Sequence, residues 1–187
     1  MKRSKEVVYL QMLAVLKNSN TPRGRKNLAE ELKIGEGVVR ALLEGGRELS
    51  HIIVMRGGVK ITESGASFLR EALSLCRIRD IFVVEEAREV LCGKRCIAYV
   101  VDEYVNDVLG LRDDLVRRGA CGALIIVEKD GKLKIPPTED SLERYSIALA
   151  KTLGAYSSQG TTFVVVCGET FSDALGLIEL KCSKFIS

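Results

Sequence analysis

The side chains of this sequence best suited to binding a ligand are cationic, and many of them lie in its first third. Six are candidates for contacting phosphate groups: Arg23, Arg25, Lys26, Arg40, Arg56 and Lys60. Residues 1–75 contain thirteen Lys and Arg against eight Asp and Glu, whereas the rest of the chain has a small acidic excess. Since Lys and Arg neutralise the phosphates of nucleic acids, this asymmetry favours a nucleic-acid-binding front part joined to a different second part.

Catalytic patterns are missing from the sequence. There is no GxSxG, HExxH, phosphate-binding P-loop or strand-linked GxGxxG, and the chain has one histidine, His51. The motif "CGKRC", Cys92 to Cys96, has the wrong spacing for paired zinc knuckles. One further cluster fits either a divalent-cation site or a solvated turn, and we favour the turn; its members are Tyr99, Asp102, Glu103 and Asp107. We therefore predict no catalytic residues, no metal and no cofactor, and we do not expect an enzyme.

The elements that position the six cations follow from local signals. Apolar spacing and breaker residues predict a helix over residues 5–17, a second helix around Leu28 and Leu32, and a third helix that ends at Gly45 and Gly46. The stretch "HIIVMRGGVKIT" predicts a hairpin that turns at Gly57 and Gly58, and Thr62 is a natural N-cap for a fourth helix.

Together, "LAEELKIGEGVVRALLEGG", the hairpin and "ITESG" resemble a winged helix-turn-helix domain of the prokaryotic transcription-regulator type. This resemblance implies binding to duplex DNA. On the outer face of the third helix, however, Arg40 is the one good donor to a base, and Glu36 and Glu44 have the wrong sign for a polyanion. We therefore expect phosphate contacts to dominate, with a basic arm at Lys2, Arg3 and Lys5. The alternative is a non-enzymatic adaptor whose winged helix contacts protein or RNA.

The second half predicts strands in "IFVVEE", "CIAYVVDEY" and "TTFVVVCG", and a hairpin at Asp130–Gly131. A helix is expected over "LGLRDDLVRRG", another from Thr138 to Gly154, and a short one near the end. This order is typical of a split βαβ unit. The predicted fold class is therefore α+β: a winged helix over residues 1–76, then a two-layer sandwich over 77–187 with helices on one face of a mixed sheet.

A small anionic metabolite is the ligand expected in the second domain. The candidate residues are Arg112, Asp113, Gly119, Ala120 and Gly122, because arginine pairs with carboxylate or phosphate and small residues permit close backbone approach. The other interpretation makes Arg112 and Asp113 a surface pair and Gly119 a plain helix cap. Residues Gly110–Pro137, with the winged helix before them, resemble an uncharacterised archaeal family that has no established reaction. We accordingly expect a transcriptional regulator whose second domain senses a ligand, dimerises, or both.

Composition limits the cellular setting. Hydrophobic residues make up 47% and charged residues 28% of the chain, as in globular proteins, and no apolar run approaches the ~20 residues of a membrane span. We expect a cytoplasmic protein whose six cysteines are reduced and buried, Cys121 and Cys167 within the core, unless the source is a hyperthermophile. The strands "TTFVVVCG" and "CIAYVVD" are apolar, and an uncovered face or edge of their sheet would be costly in water, so we expect a homodimer that covers it.

Overall fold

The computed structural model describes residues 2–185 and opens with three helices, a β-hairpin and a fourth helix, in the predicted order. The bounds are α1 Lys5–Lys17, α2 Arg25–Leu32, α3 Glu36–Glu48, β1 Ile52–Met55, β2 Gly58–Ile61 and α4 Glu63–Leu75. Polar caps define two of the helix starts. The Ser4 hydroxyl accepts from the Val7 amide at 3.2 Å, and the Thr62 hydroxyl accepts from the Gly65 amide at 3.0 Å.

The predicted end of α3 at Gly45 and Gly46 is wrong, because the helix continues to Glu48. Gly46 is buried, and a Cβ at this position would lie 3.2 Å from the Tyr9 hydroxyl oxygen and 3.3 Å from Ile52. This glycine therefore lets neighbouring side chains pack closely against the middle of a helix instead of ending it.

From Arg77 to Phe185 the chain forms six strands, four helices and two short 3-10 helices. Their bounds are β3 Ile78–Val83, 3-10 Glu85–Glu89, β4 Arg95–Val101, α5 Val108–Arg117, β5 Gly122–Lys129, β6 Lys132–Ile135, β7 Asp140–Ser141, 3-10 Leu142–Arg144, α6 Ile147–Gly154, β8 Thr162–Gly168, α7 Phe171–Ala174 and α8 Gly176–Cys182. The helix predicted to begin at Thr138 is wrong in its first half. Residues 140–141 pair with β6, and α6 begins after Ser146, whose hydroxyl accepts from the Leu149 amide at 3.0 Å.

The six strands form one sheet in the order β3-β4-β8-β5-β6-β7. Every neighbouring pair is antiparallel, so the predicted mixed sheet is wrong. Strands β4 and β5 each run antiparallel to β8, which lies between them, and are therefore parallel to each other. Since α5 connects β4 to β5, the predicted split βαβ unit is confirmed, as is the α+β fold class.

Helices cover both faces of this sheet, so the expectation of two layers is also wrong. Ala98 and Val100 belong to a buried cluster with Leu149 and Leu153 of α6. Tyr99 alternates with them and points to the opposite face, where its hydroxyl donates to the Ala174 carbonyl at 2.7 Å.

The expectation of a homodimer depends on an uncovered face or edge of the apolar strands. All seven residues of β8 are buried, as are six of the seven in β4. The single chain thus already covers these strands, and a homodimer stays a prediction without that support.

The chain divides into two compact units. The first comprises the residues up to Cys76, Thr170–Ser172 and the segment from Ile178 onward, and the second comprises Arg77–Glu169 and Asp173–Leu177. The predicted second domain, residues 77–187, therefore contains two segments that belong to the first unit. Within the part that the structure describes, no helix has the length and apolar character needed to cross a membrane.

All six cysteines form disulfides, so the expectation of reduced thiols is wrong. The pairs are Cys76–Cys182, Cys92–Cys121 and Cys96–Cys167. Cys121 is exposed instead of lying in the core, whereas Cys167 is buried as predicted. Pairing of cysteines 29 to 106 residues apart depends on tertiary structure and leaves no local signal in the sequence.

Candidate nucleic-acid interface

Helix α3 presents a mixed charged face. Val39, Leu42 and Gly46 are buried, while Arg40, Glu44 and Arg47 are exposed on the other side. Gly35 stands at the N-cap and supplies no side-chain hydrogen bond. The Arg40 Nε lies 3.2 Å from a Glu44 carboxylate oxygen, but these side chains are 69% and 59% exposed, so their ion pair is weak and easily exchanged for a phosphate.

The hairpin is anchored to the segment that precedes α2. Arg23 and Val59 exchange two backbone hydrogen bonds of 2.9 Å, which gives β2 a second neighbour beside β1. Gly58 makes this approach possible, since a Cβ there would lie 2.4 Å from the Arg23 carbonyl oxygen and its φ is +141°. Arg56, at the turn, is exposed, and Lys60 on β2 is half-buried.

A groove of about 420 Å³ lies between α3 and the hairpin. Its lining combines cationic and apolar side chains with one acidic residue, Glu44. The cationic members are Arg23, Arg25, Arg40 and Arg47, and the apolar members include Leu43, Val54 and Met55. The structure thus brings three of the predicted cations together, with Arg56 at the tip of the adjacent hairpin.

Sequence reasoning missed Arg47. It lies seven positions after Arg40, which places both on the same helix face. A third helix that ends at Gly45 and Gly46, as the sequence predicts, leaves Arg47 outside it. The 3.6-residue period, continued through the glycines, is the signal that would have found it.

Arg23 is held by neighbours inside its own unit. Its Nε donates to the Ser19 hydroxyl at 2.8 Å, its Nη1 donates to the Asn27 side chain at 3.0 Å, and its guanidinium lies 5.9 Å from the centre of the Phe171 ring. Arg25 and Lys26, at the start of α2, are exposed. Arg23 therefore braces the groove, while Arg25 and Lys26 present their charges to solvent.

The basic arm predicted at Lys2, Arg3 and Lys5 is smaller than expected. Arg3 donates to the Gln11 side chain at 2.8 Å, to the Ser172 hydroxyl at 3.1 Å and to the Leu32 carbonyl at 2.6 Å. These contacts tie the start of α1 to the end of α2, so Arg3 has a structural role. Lys2 and Lys5 remain exposed.

The anion site predicted in the second unit has an unfavourable environment. Arg112 and Asp113 are exposed near the start of α5, and Ala120 is buried. Gly119 has φ +106°, and a Cβ on it would lie 2.5 Å from an oxygen of the buried Asp173 carboxylate. A Cβ on Gly122 would lie 3.2 Å from the Cys92 sulfur. The chain's own groups fill the space beside the small residues, and a carboxylate there disfavours an anion.

The acidic cluster considered for a divalent cation is dispersed among structural roles. An Asp102 carboxylate oxygen lies 3.5 Å from the Arg79 Nε in an ion pair. The Asp107 carboxylate caps α5 and accepts from the Gly110 amide at 2.8 Å. Tyr99 is fully buried, and burial raises the pKa of its phenol well above the ordinary value of 10.0.

Comparison with known proteins identifies relatives without a known function. Residues 10–67 match a family model described as PH0730-like, N-terminal domain, and residues 92–178 match a domain of unknown function, DUF4443. One similar solved structure is "Hypothetical protein PH0730 from Pyrococcus horikoshii OT3": identity is 25%, the TM-score is 0.70, and the match covers 100% of this chain and 96% of that chain. No curated protein matches. The expected likeness to an uncharacterised archaeal family is thereby confirmed.

Proposed function

We propose that the first unit is a winged helix-turn-helix that binds duplex DNA, mainly through phosphates, in a transcriptional regulator. The groove between α3 and the hairpin carries this proposal. It combines Arg25, Arg40 and Arg47 with a hairpin tip that carries Arg56. In winged and other helix-turn-helix proteins, one helix enters the major groove while flanking groups contact the backbone.

The charge pattern favours phosphate contact over sequence reading. Glu36, Glu44 and Glu48 alternate with the arginines of α3 and are exposed. Near a polyanion these carboxylates are repelled, and a glutamate reads a base only by accepting from cytosine. Sequence preference is therefore assigned to Arg40, and most of the affinity to cations around the helix.

The second unit is proposed to dimerise or to sense a ligand. A two-fold dimer would present two winged helices to a palindromic site, which multiplies affinity when both half-sites are bound. The contacts of Gly119 and Gly122 make the predicted anion site the weaker of these two roles.

The test is binding of the full chain to a labelled DNA duplex, measured by fluorescence anisotropy across a salt series. The triple variant Arg25→Gln, Lys26→Gln, Arg56→Gln removes three phosphate contacts, each worth about 0.9 in the slope of log K against log salt. The slope should fall by about 2.7. At ~0.1 M salt the affinity should fall by roughly 500-fold, taking these contacts as negligible at ~1 M.

A matched control removes three charges from the second unit. Arg117, Lys132 and Lys151 are exposed there, and changing all three to Gln lowers the net charge by the same amount. This control variant should keep the slope of the parent within about 0.5. Equal affinities of the triple variant and the control would refute phosphate binding by the groove and hairpin.

A second function, docking of a partner protein on the hairpin, is favoured by one observation. Ile53, Val54 and Met55 of β1 are 52%, 63% and 46% exposed, an unusual apolar run for a surface that meets phosphates. If the wild-type protein shows no salt-dependent binding to duplex DNA, docking of a partner protein is favoured. Conversely, a Val54→Thr, Met55→Thr variant with unchanged DNA affinity and slope would separate β1 from the DNA contact.

A further inference from the structure

An apolar groove of about 570 Å³ lies between α1, α3 and α4, within the first unit. Its size falls in the range of small-molecule sites, roughly 300–1,000 Å³. The apolar lining is formed chiefly by Tyr9, Leu10, Leu42, Leu49, Phe68 and Leu75. Leu75 is 70% exposed and Leu49 58% exposed, so a ligand in the groove would remove considerable apolar surface from water.

The aromatic side of the groove is fixed by contacts with a buried histidine. The Tyr9 hydroxyl lies 2.8 Å from His51 Nδ1, and the His51 ring stacks on Phe68 with centroids 4.5 Å apart. The Tyr9 and Phe68 rings meet edge to face at 6.3 Å. This wall is therefore held in place before any ligand arrives, which lowers the cost of ordering it on binding.

Charged side chains at the groove give it a preferred ligand sign. Lys5 supplies one positive charge, and Glu6 and Glu71 supply two negative charges. Within residues 2–185 neither carboxylate forms an ion pair. A cation placed beside aromatic rings and two unpaired carboxylates gains both cation–π and Coulombic attraction.

We propose that this groove binds a small hydrophobic cation. The proposal does not depend on DNA binding, because α3 contributes Ala41, Leu42 and Gly45 to this groove and Arg40 and Arg47 to the other. Apolar contact provides the affinity and the carboxylates provide the selection for positive charge. A neutral or anionic compound of equal size loses that second contribution.

Tetraphenylphosphonium and tetraphenylborate are the probes, because they share shape and apolar surface but differ in sign. Titration calorimetry with the full chain should give at least tenfold tighter binding of the phosphonium. The double variant Glu6→Gln, Glu71→Gln should weaken phosphonium binding at least tenfold and leave the borate unweakened. Equal affinities of wild type for the two ions would overturn the proposal.

Two glycines of α3 provide a matched steric test. A Cβ added at Gly45 or at Gly37 meets no atom within 4 Å, but only Gly45 lines this groove. Gly45→Leu should therefore reduce phosphonium affinity at least tenfold, and Gly37→Leu should leave it unchanged. Phosphonium binding that survives Gly45→Leu would overturn the site. That result together with a change of oligomeric mass would identify the groove as a contact between two copies of the chain.

Discussion

Of the three disulfides, Cys76–Cys182 closes the longest loop, and its removal tests how much this cross-link stabilises the fold. Its cysteines are 106 residues apart, against 71 for Cys96–Cys167 and 29 for Cys92–Cys121. The chain-entropy relation for loops of these lengths gives about 4.8, 4.4 and 3.6 kcal/mol, respectively, for each bond considered alone. The smallest loop lies inside the largest, so these free energies do not add. Because native disulfides are measured at about 2–5 kcal/mol, the first value is near the upper limit.

The variant Cys76→Ala, Cys182→Ala should therefore lower the free energy of unfolding by about 3–5 kcal/mol, measured in guanidinium chloride. Both residues are buried, and alanine leaves no unsatisfied polar group at either position. Cys92→Ala, Cys121→Ala is the comparison and should cost less. A thiol count on the denatured, unreduced wild type should give no free thiol, and full reduction should release six. Six thiols before reduction, or a midpoint unchanged by the first variant, would refute the cross-link.

Two further variants test buried polar contacts. Tyr99→Phe leaves the Ala174 carbonyl without its donor and should cost about 1 kcal/mol near neutral pH. Because burial raises the pKa of Tyr99, the folded state keeps its phenolic proton after the unfolded chain has lost it. The protonated phenol therefore contributes fully to the free energy of unfolding below about pH 10, and this contribution declines as the pH rises. In Tyr99→Phe the decline should be flatter, which unfolding measured from about pH 9 to 11.5 would show. Glu128 is buried, and its two carboxylate oxygens accept from the Gly131 and Gly160 amides at 2.6 Å, so Glu128→Gln should lower the thermal midpoint by an amount equivalent to about 1.5–3 kcal/mol. An unchanged midpoint would show that these contacts are not formed.

Elements with strong local signals could be predicted from sequence. Asp130 and Gly131 both have positive φ, 54° and 77°, as the hairpin turn requires, and the capping residue of α4 was correctly identified as Thr62. Such signals act within a few residues and therefore survive any tertiary arrangement. The hairpin between β1 and β2 was found for the same reason.

Elements decided by distant neighbours were not predictable in this way. Residues 140–141 form a strand because they pair with β6, which overrides the helical pattern that begins at Thr138. The sheet order depends on β8 entering between β4 and β5, a choice made by strands far apart in sequence. The disulfides follow from the same long-range geometry.

The candidate interface illustrates both cases within one set of cations. Residue type and spacing identified Arg25, Lys26 and Arg56, whose side chains are exposed. The backbone hydrogen bonds of Arg23 with Val59 and its contact with the Phe171 ring are tertiary properties, because both partners are distant in the sequence. Arg47 lines the groove because α3 continues through Gly46, which packs against Tyr9 and Ile52.

The number of exposed cations near the groove limits the salt dependence of DNA binding by one copy of the chain. The excess positive charge of residues 1–75 includes Arg3, whose guanidinium donates to the Leu32 carbonyl. It also includes Lys17 and Lys33, which do not line the groove. Five exposed cations belong to the groove, the adjacent start of α2 and the hairpin tip, namely Arg25, Lys26, Arg40, Arg47 and Arg56. At about 0.9 per neutralised phosphate, one copy of the chain can therefore reach a slope of about −4.5 in log K against log salt. A steeper slope requires further cations, either Lys2, Lys5 and Lys60 of the same unit or cations from a second copy or the second unit. A measured slope near −4.5 would thus identify a DNA contact confined to the groove, the start of α2 and the hairpin tip of one copy.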